Sequence, residues 1–388
     1  MIRNHLLVMT PGPTPIARSI QDQMGKETIA FNDPRFIFDF DALIADLESL
    51  WRCDGIAFVV AGSGTMAMEM GIANVATRGE RVLVCSNGYF GDRYIEICNR
   101  KGFDLDTLKA EWGHSVTVEE VDAKLSEKKF DVLVVTHVET STGVELPLKP
   151  LTEILKSRHR DVLLVVDGVA SAGGVEAYMD WGIDIMLTCS QKCFGLAPGL
   201  GIVWASERAI AKRKNMPPIA ESYVDFEKWL PVMKDAQKYW GTPAVNMIWA
   251  LAEAVEIIKK EGLDERFARH RLYAKAIRDA MLALGFEMGT DPAVASPTVS
   301  VFLYPEKKNL DDAAFRKAVY DEGAHISACL GHFMGRGCRI GHMGNIDHHV
   351  LVSLVAAIER GCIRSGLSVE VGSGLAALQR ALLSSPSF

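Results

Sequence analysis

The sequence runs to 388 residues, more than one hydrophobic core usually organises, so two unequal domains or one large domain with an appendage is expected. Its formal charge of -7, from 42 basic and 49 acidic residues, argues against a nucleic-acid partner and against a polybasic membrane contact, and its 48% hydrophobic content argues against disorder over most of the length. Eight cysteines stand singly, at Cys53, Cys85, Cys98, Cys189, Cys193, Cys329, Cys338 and Cys362, a usage that fits a reducing, cytoplasmic setting rather than a disulfide framework. Cys189 and Cys193 lack a second pair to complete a metal set, so no metal is expected. The apolar run Leu6-Leu7-Val8-Met9 is too short for a secretory signal, and no stretch reaches the roughly 18 apolar residues of a membrane helix.

Residues 1–15 read as an N-terminal arm. Short β-branched runs bounded by Gly, Asp or Asn then recur at 56–61, 81–85, 131–136, 162–167, 183–188 and 201–205. Between most of them lie segments of helical spacing, at 66–76, 118–128 and 148–157. Alternating strands and helices predict an α/β fold with a mainly parallel sheet flanked by helices, and the unbroken run Val162-Leu163-Leu164-Val165-Val166 reads as a strand buried on both faces. A long helix is expected over 243–262, with Ile248, Leu251, Val255 and Ile258 on one face, and a second over 265–284. Strands at 299–303 and 325–329 flank a helix at 310–320. The expected organisation is a large domain over 16–262 and a smaller C-terminal α/β domain over 263–388, ending in a small-residue tail at Ser384-Ser385-Pro386-Ser387.

Three segments carry chemistry. In Val165-Val166-Asp167-Gly168-Val169-Ala170-Ser171, a carboxylate stands at the C-terminal edge of a buried strand, where open α/β sheets bind ligands. An acid buried there needs a partner, and a protonated pyridine nitrogen would serve both that need and catalysis, although a capping Asp in a turn would leave the same trace. In Thr188-Cys189-Ser190-Gln191-Lys192-Cys193-Phe194-Gly195, an amine follows the next apolar strand among small and apolar residues. Burial there lowers an amine's pKa and makes it nucleophilic toward an aldehyde, whereas a plain surface cap is the commoner use of such a lysine. The turn Ala61-Gly62-Ser63-Gly64-Thr65, between a strand and a helix starting at Met66, offers hydroxyls and free helix amides to a phosphate, but it is neither a Walker loop nor a dinucleotide fingerprint. His348 and His349 after Asp347 read as a solvated helix start rather than a metal pair.

Taken with Thr10-Pro11-Gly12-Pro13-Thr14, Asn87-Gly88-Tyr89-Phe90-Gly91-Asp92-Arg93, His137-Val138-Glu139-Thr140-Ser141-Thr142-Gly143, Gly182-Ile183-Asp184, Thr242-Pro243 and Arg339-Ile340-Gly341, these segments make the chain resemble the class V, fold type I pyridoxal-phosphate aminotransferases, most closely the alanine-glyoxylate and serine-pyruvate group. The matching stretches run from residue 10 to residue 341. The resemblance implies that Lys192 carries pyridoxal 5'-phosphate as a Schiff base and shuttles the proton, and that Asp167 pairs with the ring nitrogen. It implies that Ser63, Gly64, Thr65 and Gln191 hold the phosphate, that Phe90 stacks on the ring, that Val169 lies in the cofactor site and that Thr140 stands beside ring oxygen and substrate. Tyr239 and Thr242 match positions that reach the phosphate of a neighbouring subunit, which implies a homodimer with shared sites. Arg339 matches the residue that grips the substrate carboxylate, with Arg336 its rival, and is placed at a strand start; Gly12 would lie near the substrate.

The activity so implied is ping-pong transfer of an amino group from a small amino acid, alanine or serine, to glyoxylate or pyruvate. Two alternatives use the same fold. The stretch from Leu6 to Pro13 and Val84-Cys85-Ser86-Asn87-Gly88 also resemble 2-aminoethylphosphonate-pyruvate aminotransferases. A cysteine desulfurase-like lyase would need a reactive thiol, for which Cys329 or Cys338 is the candidate, but relatives of that kind carry His where Gln191 stands. A non-catalytic scaffold would have no reason to keep a buried amine beside a carboxylate.

Overall fold

The computed structural model describes residues 6–305 and 310–384, so most of the small-residue tail lies outside the described residues. Seven strands form the main sheet: β1 (Ile56–Ala61), β2 (Arg81–Ser86), β3 (Asp104–Lys109), β4 (Val132–Thr136), β5 (Leu163–Asp167), β6 (Ile185–Cys189) and β7 (Leu200–Ala205). Their order is β1-β7-β6-β5-β4-β2-β3. Only β7 opposes the rest, lying antiparallel to β1 and β6, so the remaining six point their C-terminal ends to the same side. The central strands β4 and β5 are buried throughout, as their continuous Val/Leu runs require when helices cover both faces.

The strand β3 was not expected from the sequence. Its run Asp-Leu-Asp-Thr-Leu-Lys is half exposed, because β3 lies at the edge of the sheet, where charged side chains discourage pairing with other chains. A long helix, Pro34–Leu50, was likewise not singled out; Asp33 caps it by accepting from Arg35 N–H, Pro34 stands in its first turn, and it buries Phe36, Phe40, Leu43, Ile44 and Leu47.

A second sheet is built from β8 (Glu287–Met288), β9 (Val299–Leu303), β10 (Ser327–Ala328) and β11 (Gly337–Gly341), antiparallel and in the order β8-β9-β11-β10. Around it, helices Leu263–Ala283, Asp312–Asp321, His348–Arg364 and Ser373–Leu383 close a separate apolar core that contains Phe286, Phe302, Phe315, Leu351 and Leu378. The expected strand over 325–329 is divided: Ala324–His325 pairs with Leu7–Val8, and only Ser327–Ala328 joins the sheet. The N-terminal segment is thereby stitched to the second core, with Met9 inside it. Arg339 stands in the middle of β11 and not at a strand start, opposite Val301 and Ser327. Asp347 caps the helix from His348 by accepting from Val350 N–H at 3.0 Å. Among the described residues, no helix is long and apolar enough to cross a membrane and no group of three or more His, Cys, Asp or Glu side chains is arranged to hold a metal ion.

Candidate active site

Every chemical segment follows the C-terminal end of a strand in the parallel set. β1 leads into Ser63, β2 into Phe90, β4 into Thr140, β5 ends on Asp167 and β6 runs out three residues before Lys192. Thr136 and Asp167 are register partners, as are Asp167 and Leu187, so the ends of three adjacent strands converge on one cleft of about 210 Å³.

The helix after β1 begins at Gly64, two residues earlier than the spacing suggests, because Ser63 caps it: Ser63 Oγ accepts from Met66 N–H at 3.3 Å. The first-turn amides of Gly64 and Thr65, which have no partner within a helix, therefore stand at the cleft. On the opposite strand end, Asp167 is 2% exposed and accepts from Val169 N–H at 2.9 Å. Burial raises its carboxyl to about 7; the Val169 amide opposes that shift, Glu139 adds to it, and Lys192 and Arg93 oppose it. An acid held this way ionises fully once a cation faces it.

Lys192 is half-buried, and loss of solvent around its amine lowers its ammonium pKa, with the Arg339 charge pushing the same way against Cys189, Cys193 and Asp167. Its turn is clamped from three directions at successive carbonyls. Thr14 Oγ1 donates to the carbonyl of Lys192 at 3.1 Å, Arg266 Nη2 to that of Cys193 at 2.7 Å, and Asn345 Nδ2 to that of Phe194 at 3.1 Å. Lys192 Nζ itself donates to the carbonyl of Pro11. Gly12 then passes so close that a Cβ there would stand 2.7 Å from both Cδ and Cε of Lys192, with φ at +113°. Glycine is required here by both backbone and space. Gly12→Ala is expected to displace the amine and lower kcat/KM by about 10²-fold, the scale of an ångström's misplacement at reacting atoms; steady-state kinetics on the folded variant is the check.

Arg339 donates through Nε to the carbonyl of Ala328 at 2.8 Å and through Nη1 to the carbonyl of Thr140 at 3.1 Å. Two of its five donors are thus spent on orientation, and the rest of the fork is available for an anion. Arg336 is exposed on the turn before β11, its carbonyl accepting from Tyr304 N–H. Gly12, Ser63, Gly64, Thr65, Phe90, Thr140, Val169 and Gln191 all line the cleft with Asp167 and Lys192, whereas Tyr239 and Thr242 do not, and Arg339 reaches it only through its bond to the Thr140 carbonyl. Tyr239 is 62% exposed, stacks on Phe31 with ring centroids 5.2 Å apart, and its hydroxyl lies 3.4 Å from Thr242 Oγ1.

Two residues within the quoted motifs were given no role by the sequence. Glu139 is fully buried and accepts from the amides of Phe90 (2.8 Å), Gly91 (3.2 Å) and Ser141 (2.9 Å) and from Ser141 Oγ (2.7 Å). It caps the helix Tyr89–Lys101 in place of Gly88, which has no side chain to do so, and so fixes Phe90 over the cleft. Arg93, one turn further along that helix, also lines the cleft. Spacing offered no signal for either, since Glu139 is held by helix amides of another segment and Arg93 by Thr65 of another helix.

The Aminotransferase class-V family model matches residues 54–364. The chain belongs to the class V aminotransferases. This class V aminotransferase is similar to a Synechococcus protein named soluble hydrogenase, small subunit, with 32% identity over 98% of this chain and 99% of that one. It is also 32% identical to the serine-glyoxylate aminotransferase of Hyphomicrobium methylovorum, over 96% of this chain and 93% of that protein. The crystal structure of ureidoglycine-glyoxylate aminotransferase from Bacillus subtilis superposes with a TM-score of 0.93 at 27% identity, covering 98% of this chain and 99% of that one. The aminotransferase is therefore a fold type I, pyridoxal-phosphate-dependent transaminase.

The residues of this class V aminotransferase fit that cofactor. Gln191 Oε1 and Thr136 Oγ1 are buried at the cleft without a hydrogen-bond partner among the described residues, polar atoms that a bound polar group can satisfy. An acid, an amine and a helix N-terminus face the same space. The thiols considered for a lyase are placed differently. Cys329 is buried and pushed up to about 12, and Cys338 is fully buried within β11 and held well above the ordinary thiol range, so neither presents a thiolate on an exposed loop.

Proposed function

We propose that this class V aminotransferase transfers an amino group from a small α-amino acid, serine or alanine, to glyoxylate, in a homodimer whose subunits complete each other's sites. The observation that carries the reading is the convergence of the Lys192 amine, its pKa lowered, and a buried acid at Asp167 on one cleft, with Arg339 bonded to the carbonyl of Thr140 in the cleft wall. The acceptor is supported by similarity to relatives whose names specify glyoxylate. The shared-site reading is supported by Tyr239, which is exposed and does not line the cleft of its own chain. A cytoplasmic setting is supported by eight free cysteines, seven of them buried.

Pyridoxal phosphate, when bound, supplies an aldehyde that condenses with amines and a protonated ring that withdraws electrons from the bond being broken. Lys192 Nζ would hold it by that condensation. Asp167, facing the ring nitrogen, would be ionised and would keep that nitrogen protonated. The guanidinium of Arg339 takes the substrate carboxylate in a two-bond fork and thereby sets which face of Cα meets Lys192. Lys192 Nζ would serve as general base for the Cα proton, a role that its lowered pKa favours. Its lowered pKa matters here, because an ammonium has no lone pair to accept that proton.

Arg339→Lys keeps the charge and loses the fork. It is expected to raise KM for the amino acid by about 10- to 100-fold with a smaller change in kcat, the range of a lost charge-assisted hydrogen bond; steady-state kinetics with serine or alanine varied would measure it. The function is tested with single-turnover absorbance. Serine and alanine should convert the bound cofactor to its amino form and glyoxylate should restore it. Conversion by 2-aminoethylphosphonate but by no α-amino acid would contradict the reading.

A further inference from the structure

The residues that the resemblance assigns to the phosphate, Ser63, Gly64, Thr65, Gln191, Tyr239 and Thr242, are all neutral. A phosphate monoester carries about 1.5 to 2 negative charges at neutral pH, and a helix N-terminus offsets only about half a charge. Taking such an anion out of water is costly unless a cation joins it.

Among the residues lining the cleft, only Lys192 and Arg93 are cationic, and on the reading above Lys192 is committed to the cofactor's aldehyde. Arg93 Nη1 donates to Thr65 Oγ1, in the first turn of the phosphate-facing helix, at 3.1 Å. Its guanidinium lies 4.9 Å from the ring centroid of Phe90 and 5.4 Å from that of Tyr89. No carboxylate pairs with it among the described residues; the neighbouring Asp92 is taken by Lys109 at 2.7 Å and accepts from Ser86 Oγ at 2.9 Å. A half-buried guanidinium braced by a hydroxyl and an aromatic face, with no acid of its own, is arranged to meet an external anion.

We propose that Arg93 is the countercharge for the cofactor's phosphate, a binding residue additional to the neutral cradle. The inference rests on the cleft being the pyridoxal-phosphate site. Its ligand chemistry is a phosphate monoester, and the competing use of Arg93, gripping a second acidic group on the substrate, is separated by the test.

The test compares equilibrium binding of pyridoxal 5'-phosphate and of pyridoxal, which lacks the phosphate, to the full chain after dialysis of bound cofactor, followed by absorbance and protein fluorescence. Arg93→Gln should weaken pyridoxal phosphate by about 10- to 100-fold, the range of one lost charge-assisted hydrogen bond, and leave pyridoxal unchanged. Arg93→Lys should recover part of the difference, because it restores charge without the fork. If wild-type protein prefers the phosphorylated ligand and Arg93→Gln keeps that preference, the role of Arg93 is overturned while the cleft reading stands. Equal weakening of both ligands, or a loss confined to the KM of dicarboxylic donors, overturns it as well. If the wild-type protein binds neither ligand, the cleft reading itself fails and the inference with it.

Discussion

Lys192→Ala should fold, bind pyridoxal phosphate without a covalent link, and turn over about 10⁴-fold more slowly than the parent, at the upper end of what a positioned general base contributes. The size of the effect follows from two functions residing in one atom. Lys192 Nζ is the amine that tethers the cofactor and, once released, the base for the Cα proton; no other amine lines the cleft. The turn that carries it is held by Thr14, Arg266 and Asn345 through backbone carbonyls, so removing the side chain leaves those three bonds in place. Single-turnover kinetics with alanine would measure the loss. Added methylamine should recover part of the rate in Lys192→Ala and none in the parent, a response that a misfolded variant would not give.

Asp167→Asn should lower kcat by about 10²- to 10³-fold, the scale for removing one oriented electrostatic partner from a closed site. An amide cannot keep the ring nitrogen protonated, and the electron-withdrawing power of the ring falls with it. The same substitution has the opposite sign for the stability of the cofactor-free chain. Burial lifts the Asp167 carboxyl from 3.8 to about 7 in the folded state. Between those values the folded chain binds a proton that the unfolded chain has released, so this group destabilises the fold progressively as pH rises from about 4 to about 7, and fully above that. In cofactor-free protein, Asp167→Asn should therefore raise the urea midpoint at pH 8 and leave it unchanged near pH 4. A pH-independent difference between the two proteins would contradict the assignment. Glu145 is also lifted to about 7 by burial, which is why the comparison is made between variants and not on the parent's profile alone.

The site was legible where chemistry is written as a strand followed by a turn. Asp167 and Lys192 each follow an uninterrupted apolar run, and the parallel packing of those runs brings the two groups together without any further signal. Ser63-Gly64-Thr65 announced a helix start through its residue types, and the structure puts that start two residues earlier because Ser63 caps it. What the sequence concealed has a common physical origin. Edge strand β3 has its charges facing solvent and lacks the continuous hydrophobicity that marks β4 and β5. Glu139 owes its position to amides from another segment, a contact with no local periodicity. Arg339 was placed at the beginning of a strand, yet Gly337 pairs with Leu303 and the strand starts there. The bend that divides Ala324–His325 from Ser327–Ala328 is imposed by two different partners, the N-terminal segment and β11, and neither can be read from the local sequence.

The account depends on one amine. Reducing the holoenzyme with borohydride and mapping the labelled peptide should place the pyridoxyl group on Lys192, within the segment from Cys189 to Gly195. A label on any other lysine, or a protein that retains its cofactor but takes up no label, would contradict the central claim.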